Sequence, residues 1–588
     1  MAKKDELSPV ETVKAESNLL RGTIHEALND PQVESLSSDD LNLLKFHGSY
    51  EQDDRDLRQS RRAEGLGKAY SYMIRVVIPA GRLTAQQYLD LDQMADRYAN
   101  GTIRLTTRQA IQYHGVLKGD LRQTIREINE SLLTTLAACG DVCRNVMATA
   151  APIESPIYQQ IRQTAYDLAV DLKPATKAYF EIWIDGESQV NTQEEEPFYG
   201  STYLPRKFKV GVTVAGDNQI DVFSYDTGLI GIIENDQLIG YNLVAGGGLG
   251  MSHGRANTFA QIASKICFVD VADAVAAVRV IASIYRDLGN RNDRKQARLK
   301  YLVDTMGEEN FIAEFKRRAE FPVSPWKELP AWEIQDWLGL HPQSHKRWFY
   351  GVFVENGRIK DTDSMHMKAA FRQIAEEIGC PIILTAQQSL LFHDLSMDQV
   401  ERLKAILQQH QVPLLEEISN VRRYSMACPA MPTCGLAVAE SERAAPELLV
   451  QFEQHFAQLG LADAQLTVRM TGCPNGCARP YTADIALVGR RPGIYHLFVG
   501  GRLAGDRMAD LYAADVPLEQ VLEVLNPLLS AYAQTRQPAE GLGDFYQRAF
   551  ERTLPRQRLT GKETETRPTA ELQLVQLTGL ATSEKAKL

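Results

Sequence analysis

The sequence predicts an α+β chain of several domains built around an internal duplication. Three observations carry that prediction. The chain has 588 residues, several times the usual domain length. It shows a strand, helix and strand-pair pattern between Tyr70 and Val116, and the same pattern recurs about 279 residues later.

The first 72 residues are polar and charged, with FHGSYEQDDRDLRQSRR at 46–62, and read as an extended arm with short helices. YSYMIRVVIPAG then reads as a strand entering a turn, LTAQQYLDLDQMADRYA repeats its apolar residues at helical spacing, and TIRLTTRQAIQYHGV alternates like a strand pair. In the second copy FYGVFVENGRIKD is strand and turn, MHMKAAFRQIAEEIG helix, and PIILTAQQSLLFHDL strand pair. Residues 102–114 and 381–393 agree at five of thirteen positions. The differences are more telling, because Arg104 meets Ile383 and Arg108 meets Gln387. A true repeat would therefore hold an anion in its first copy and complete the fold with its second.

Between the copies, AYFEIWIDGE and RKFKVGVTVAG read as strands, AGGGLGMSHG as a glycine-rich turn, and 271–319 as helical. Cysteine loops follow the second copy, then an α/β stretch to about 555 and a polar tail with the composition of a flexible or partner-directed segment.

Composition excludes some classes. Lys+Arg 64 against Asp+Glu 75 leaves a net charge of −11, the wrong sign for a nucleic-acid coat or a membrane-surface protein. The N-terminus lacks the apolar stretch of a signal peptide, and no run reaches the roughly 18 apolar residues of a membrane span, so a cytoplasmic protein is expected. Eight cysteines are too few for a disulfide scaffold.

Their spacing matters more than their number. Cys428 and Cys434 lie in ACPAMPTCG, five residues between them, and Cys473 and Cys477 in GCPNGCA, with three between. Proline follows the first cysteine of each loop, removing a donor and preventing helix continuation. The five-residue gap is wider than zinc ribbons prefer. Four thiolates on irregular loops suit an iron–sulfur cluster better, with zinc or unrelated buried thiols as the alternatives. Cys139 and Cys143, in AACGDVCRN, have similar spacing but follow the apparently helical SLLTTLAA, and they read as buried thiols along with Cys267 and Cys380.

Several cations sit on apolar strands and turns: Arg75, Arg104, Arg108, Arg144, Arg206, Lys207 and Lys209. Charge there is costly unless it is paired or faces a bound anion. AGGGLGMSHG does not match the GxGxxG dinucleotide fingerprint, and reads instead as backbone that can approach a flat cofactor closely.

Taken together, SNLLRGTIHEALND, FHGSYEQDDRD, LTTRQAIQYHG, YLPRKFK, GGGLGMSHG, GNRNDRK, TGCPNGCAR and GLGDF resemble the sulfite reductase hemoprotein family of sirohaem sulfite/nitrite reductases, over about nine-tenths of the chain. The resemblance implies an internally duplicated, pseudo-twofold fold of three mixed α/β domains. Its divisions would be an arm at 1–72, a ferredoxin-like central domain at 73–136 and 347–414, a sirohaem and substrate domain at 137–346, a [4Fe–4S] and sirohaem domain at 415–557, and a flexible tail at 558–588. It implies that Cys428, Cys434, Cys473 and Cys477 bind a [4Fe–4S] cluster, with Cys477 also axial to sirohaem iron. Arg75, Arg144, Lys207 and Lys209 match the residues that bind the substrate anion and supply protons. Arg104, Arg108, Gln112, His114, Arg206 and Asn475 match those that grip the macrocycle. One departure is Cys143, where relatives commonly have asparagine.

The implied reaction is assimilatory six-electron reduction of sulfite to sulfide. Electrons would come from a flavoprotein subunit carrying NADPH equivalents or from ferredoxin, since no flavin or nicotinamide domain is apparent. Nitrite is the alternative substrate, and CPAMPTCGLAVAESER resembles the sulfite branch more closely. A nucleic-acid or scaffold protein with a purely structural cluster is the reading from another class, opposed by the net charge and by the lack of a basic, aromatic-studded stretch.

Overall fold

A computed structural model describes residues 6–184, 196–333, 335–550 and 558–562. The chain divides into two units, Met1–Gly246 with Ala263–Leu415, and Gly247–Ile262 with Glu416–Leu588. Among the described residues, no helix is long and apolar enough to cross a membrane.

The duplication organises the first unit. Its first copy forms a five-stranded sheet in the order Ser49–Asp53, Tyr70–Val76, Ile111–Val116, Ile103–Leu105, Arg358–Ile359. The second copy repeats it as Gly339–Ser344, Arg347–Val352, Leu390–Leu395, Ile382–Leu384, Arg82–Leu83. Each sheet is thus closed by a two-residue strand borrowed from the other copy. Within the copies, Arg104 pairs with Gln112 and Leu105 with Ile111, while Ile383 pairs with Leu391 and Leu384 with Leu390. The paired registers match residue for residue at the offset seen in the sequence.

Side chains reinforce the exchange. Gln109 donates to Leu384 O at 2.9 Å and accepts from Ala148 N at 3.0 Å. The first-copy helix Ala85–Tyr98 presents Asp92 and Asp96 to Lys368 and Arg372 of the second-copy helix Met367–Glu377, with Arg372 Nη2 2.6 Å from Asp96 Oδ2. The turns that lead into the borrowed strands contain Gly81 (φ +71°) and Gly357 (φ +73°). A Cβ on Gly81 would lie 2.6 Å from Leu384 O, and one on Gly357 2.4 Å from Leu105 O. Glycine is required there twice over, for conformation and for space.

Because cross-strand partners share a face, Arg75, Arg104 and Gln112 lie on one side of the first sheet, with His114 two residues along. The matching side of the second sheet carries Ile383 and Leu391, sealed by Ala150, Phe349 and Trp337. One copy keeps a polar face and the other has an apolar plug.

The N-terminal arm is integrated into this core. Its helices Pro9–Glu16, Ile24–Asn29 and Ser38–Leu44 lead to the edge strand Ser49–Asp53, and Leu20, Ile24, Leu43, Leu44 and Phe46 are buried in the main core. The rest of this unit is a mixed sheet ordered Ser264–Asp270, Gln237–Ala245, Thr227–Glu234, Val210–Val214, Met147–Ala148.

Three expectations need correction. AYFEIWIDGE, read as a strand, holds the helix Ala178–Trp183, with Ala178, Tyr179, Ile182 and Trp183 buried at helical spacing. Aromatic and β-branched content misleads here because packing decides. SLLTTLAA, read as helical, follows the helix Lys118–Glu130 and is irregular, with positive φ at Leu132 and Ala137 and a bridge from Thr134 to Val77. At the start of the polar tail, Arg558–Thr560 pairs as a strand with Phe259–Gln261. Arg558 stacks over Phe259 at 3.8 Å and donates to Gln261 at 3.0 Å. The expectation of a flexible tail beyond residue 562 lies outside the described residues.

The second unit has the sheet order Met426–Ala427, Val468–Thr471, Ile485–Arg491, Ile494–Val499, Asp510–Pro517. Its first three strands are parallel. The helix Ala445–Gln458 makes the crossover between the first two, so both cysteine loops leave the carboxyl ends of adjacent parallel strands, where open α/β sheets place ligands.

Gly81→Ala and Gly357→Ala are each expected to cost about 1–3 kcal/mol, lowering the thermal unfolding midpoint by similar amounts. Unchanged midpoints would contradict the strand exchange as the support of this unit.

Candidate functional site

In the second unit, two loops bring four thiols together. Gly472 N donates to Cys428 Sγ at 3.4 Å, Asn475 Nδ2 donates to Cys473 Sγ at 3.3 Å, and Cys428 N is held by Ser441 Oγ at 3.2 Å. Val438 and Ala439 N–H both donate to Gly472 O, locking the loops to each other. The glycine-rich segment packs on the second loop: Met251 N donates to Pro474 O at 2.9 Å. A Cβ on Gly250 would lie 3.1 Å from Asn475 O.

Burial, then the charge of Cys477, then the other two sulfurs raise the Cys428 thiol pKa well above its ordinary value. Cys473 is pushed up to about 12 by burial and again by Cys477. The four sulfurs therefore feel one another, and four thiolates gathered here need a compensating polycation. Among the described residues, no three His, Cys, Asp or Glu side chains converge as ligands of one metal ion do. Cys428 and Cys473 are buried, Cys434 is half-buried and Cys477 is exposed.

The first unit collects the cations. Arg75 Nη1 donates to Cys139 Sγ at 2.9 Å, and the Gln112 amide oxygen, turned toward Arg75, accepts from its Nε at 3.2 Å and Nη2 at 2.5 Å. Arg104 is buried and donates to Leu105 O at 3.2 Å. Arg108 donates to Asn145 O at 2.5 Å, and its guanidinium carbon sits 4.6 Å from the Tyr225 ring centre. Its Nη1 is buried without a partner. His114 Nδ1 lies 3.2 Å from Gln52 Oε1. Arg144 Nη2 donates to Gly140 O at 3.0 Å.

Two carboxylates, neither singled out by the sequence, organise part of this charge. Buried Asp141 takes a bidentate pair from Arg294 at 2.7 and 3.0 Å, with Arg206 at 3.6 Å and Lys14 at 3.7 Å. Burial raises its pKa, and Arg294, Lys14 and Arg206 more than reverse this, to about 2. Buried Asp226 takes a bidentate pair from Arg298 at 2.9 and 2.8 Å. An acid beside an arginine in GDVCRN, and one at the head of the apolar strand after SYD, were the available signals.

Lys207 and Lys209 get no such partner. Neither ammonium makes an ion pair or hydrogen bond among the described residues, although both side chains are only partly exposed. Burial comes first in lowering both pKa values well below the ordinary value, followed by Lys209 and Arg298 for Lys207, and by Arg108 and Arg298 for Lys209. Uncompensated charge on partly buried side chains is chemistry that suits an anion. Cys143 is buried, its thiol 3.5 Å from Arg144 O and pushed up to about 12, so it holds backbone beside Arg144 rather than reacting.

Comparison with known proteins gives the family. The nitrite and sulphite reductase 4Fe-4S domain matches residues 167–323 and 419–549, and the nitrite/sulfite reductase ferredoxin-like half domain matches 66–131 and 341–410. The sulfite reductase [NADPH] hemoprotein beta-component of Staphylococcus haemolyticus is 44% identical over 92% of this chain and 94% of its own. That of Staphylococcus carnosus is 45% identical over 93% and 97%. The structure of the Mycobacterium tuberculosis NirA protein superposes with a TM-score of 0.74 at 22% identity, covering 93% of this chain and 97% of that one, a likeness of fold.

Asp141 is held below its ordinary pKa of 3.8, so its contribution is present above about pH 4 and is lost as pH falls toward 2. Asp141→Asn is expected to cost about 3–5 kcal/mol at neutral pH by leaving buried cations unpaired, and to flatten that acid-side loss. Thermal unfolding followed against pH checks it; an unchanged acid slope would contradict the assignment.

Proposed function

The chain belongs to the nitrite and sulphite reductase family, and from that premise we propose that it is the hemoprotein component of a cytoplasmic assimilatory sulfite reductase that reduces sulfite to sulfide at sirohaem coupled to a [4Fe–4S] cluster. The observation that carries this reading is the pair Lys207 and Lys209, cations whose ammonium groups make no ion pair among the described residues, in a chain of net charge −11. A purely structural cluster would leave them without a purpose. The relatives' printed names favour sulfite over nitrite.

Cys428, Cys434, Cys473 and Cys477 would hold the cluster, and Cys477, the exposed one, would also hold the sirohaem iron. Arg104, Arg108, Gln112, His114, Arg206 and Asn475 would hold the carboxylate-rich macrocycle, for which guanidinium forks and amide donors are the matching chemistry. The unpartnered Arg108 Nη1 fits that role. When bound, the coupled pair supplies a coordination position for sulfur and electrons one at a time. Arg75, Arg144, Lys207 and Lys209 bind the anion's oxygens and stabilise the charge that develops as each S–O bond breaks. Lysines with lowered pKa values give up protons readily to the departing oxygens and recover them from solvent. The NADPH and beta-component in the relatives' names support a separate flavoprotein subunit as electron donor, with ferredoxin the alternative.

Lys207→Met and Lys209→Met are each expected to lower sulfite turnover by about 10²-fold or more while leaving the visible absorption spectrum unchanged. Retained activity would contradict the assignment, and parallel assays with nitrite rank the two anions.

A further inference from the structure

Asp226 stands one residue before the strand Thr227–Glu234 and is fully buried. Its Oδ1 accepts from Arg298 Nε at 2.9 Å, while Oδ2 accepts from Arg298 Nη2 at 2.8 Å and from the backbone N–H of Lys209 at 2.9 Å. Its own carbonyl accepts from Gly246 N at 2.9 Å. One side chain therefore fixes the backbone of a lysine and neutralises the arginine next to it, while its main chain ties down the end of the strand Gln237–Ala245.

The surroundings make that charge decisive. Lys209 is faced by Arg108, Arg298 and Arg144, with Asp226 as the acid among them. Lys207 is faced by Lys209, Arg298, Arg144 and Arg206. Tyr285 faces both Asp226 and Arg298 from the helix Ala274–Leu288 and carries no charge near neutrality, because burial raises its pKa well above the ordinary value. Asp141, a second buried carboxylate in this unit, is engaged by Arg294, Arg206 and Lys14.

Resting on the sulfite reading, we propose that Asp226 is a positioning residue for the reaction: it anchors Lys209 and, by cancelling Arg298, sets the charge balance that lets Lys209 carry a proton to the bound anion. The carboxylate touches neither substrate nor cofactor in this account. It acts by deciding how many uncompensated positive charges the lysine must share its recess with, and each added charge disfavours the protonated form.

The test uses the holoenzyme with a reduced dye as electron source, and reads the pH dependence of kcat/KM for sulfite. Removing the carboxylate charge with Asp226→Asn should move the limb on which activity falls with rising pH to lower pH by about one unit or more. Arg298→Gln should move it the other way, and the double variant should return it toward the wild-type position. Calorimetric binding of inorganic sulfate, whose charge is constant over the range, should show the same order of limbs without turnover. A wild-type limb in Asp226→Asn, whatever its rate, would overturn the proposal. So would an acidward or unmoved limb in Arg298→Gln, which is decisive even where Asp226→Asn does not fold. Wild-type enzyme without sulfite turnover would overturn the functional reading instead, while the sulfate titration would still report on the charge balance.

Discussion

The structure depends on uncompensated positive charge held inside a chain that is acidic overall. Two buried carboxylates, Asp141 and Asp226, neutralise Arg294 and Arg298, yet among the described residues neither the Lys207 nor the Lys209 ammonium makes an ion pair. An ion in a low-dielectric recess costs several kcal/mol unless something answers it. In the proposed function a bound anion supplies that answer. The four cysteines present the opposite problem in the second unit, where gathered thiols ionise only beside a compensating cation. Each half of the machinery is electrostatically incomplete in its own way, and each deficit names the kind of group it accepts.

The duplicated scaffold explains why the charge is one-sided. The two sheets share register and turns, and each lends the other a closing strand, so the pair is mutually supporting in the way an isolated half would not be. Symmetry ends at the side chains. Where one sheet presents Arg104 and Gln112, the other presents Ile383 and Leu391 under Phe349 and Trp337. Packing the second face with apolar side chains stabilises the core while the first stays polar for chemistry.

Much of this was legible in the sequence because its signals are local. The helix and strand-pair patterns of both copies needed only periodicity, and Arg104 against Ile383 disclosed which copy keeps a cationic face. The two proline-bearing loops pointed to a cluster site, with zinc or buried thiols as the alternatives, and the match to a 4Fe-4S domain favours the cluster. What escaped were features made by tertiary contact. Asp226 lies 17 residues from the backbone it anchors and 72 from the arginine it neutralises, and no local pattern connects them. The helix Ala178–Trp183 looked like a strand because its aromatic residues suit either state until packing chooses. Arg558–Thr560 looked like tail because three residues make a strand only when Phe259–Gln261 is beside them.

The proposed function requires a haem-type group and an iron–sulfur cluster in the same chain. Metal analysis of the purified protein together with its visible absorption spectrum tests this most directly. About five iron atoms per chain, one of haem type and four in a cluster, with intense haem bands that change when Cys477 is replaced by serine, is the predicted result. Zinc in place of iron, or cluster iron without haem bands, would contradict it.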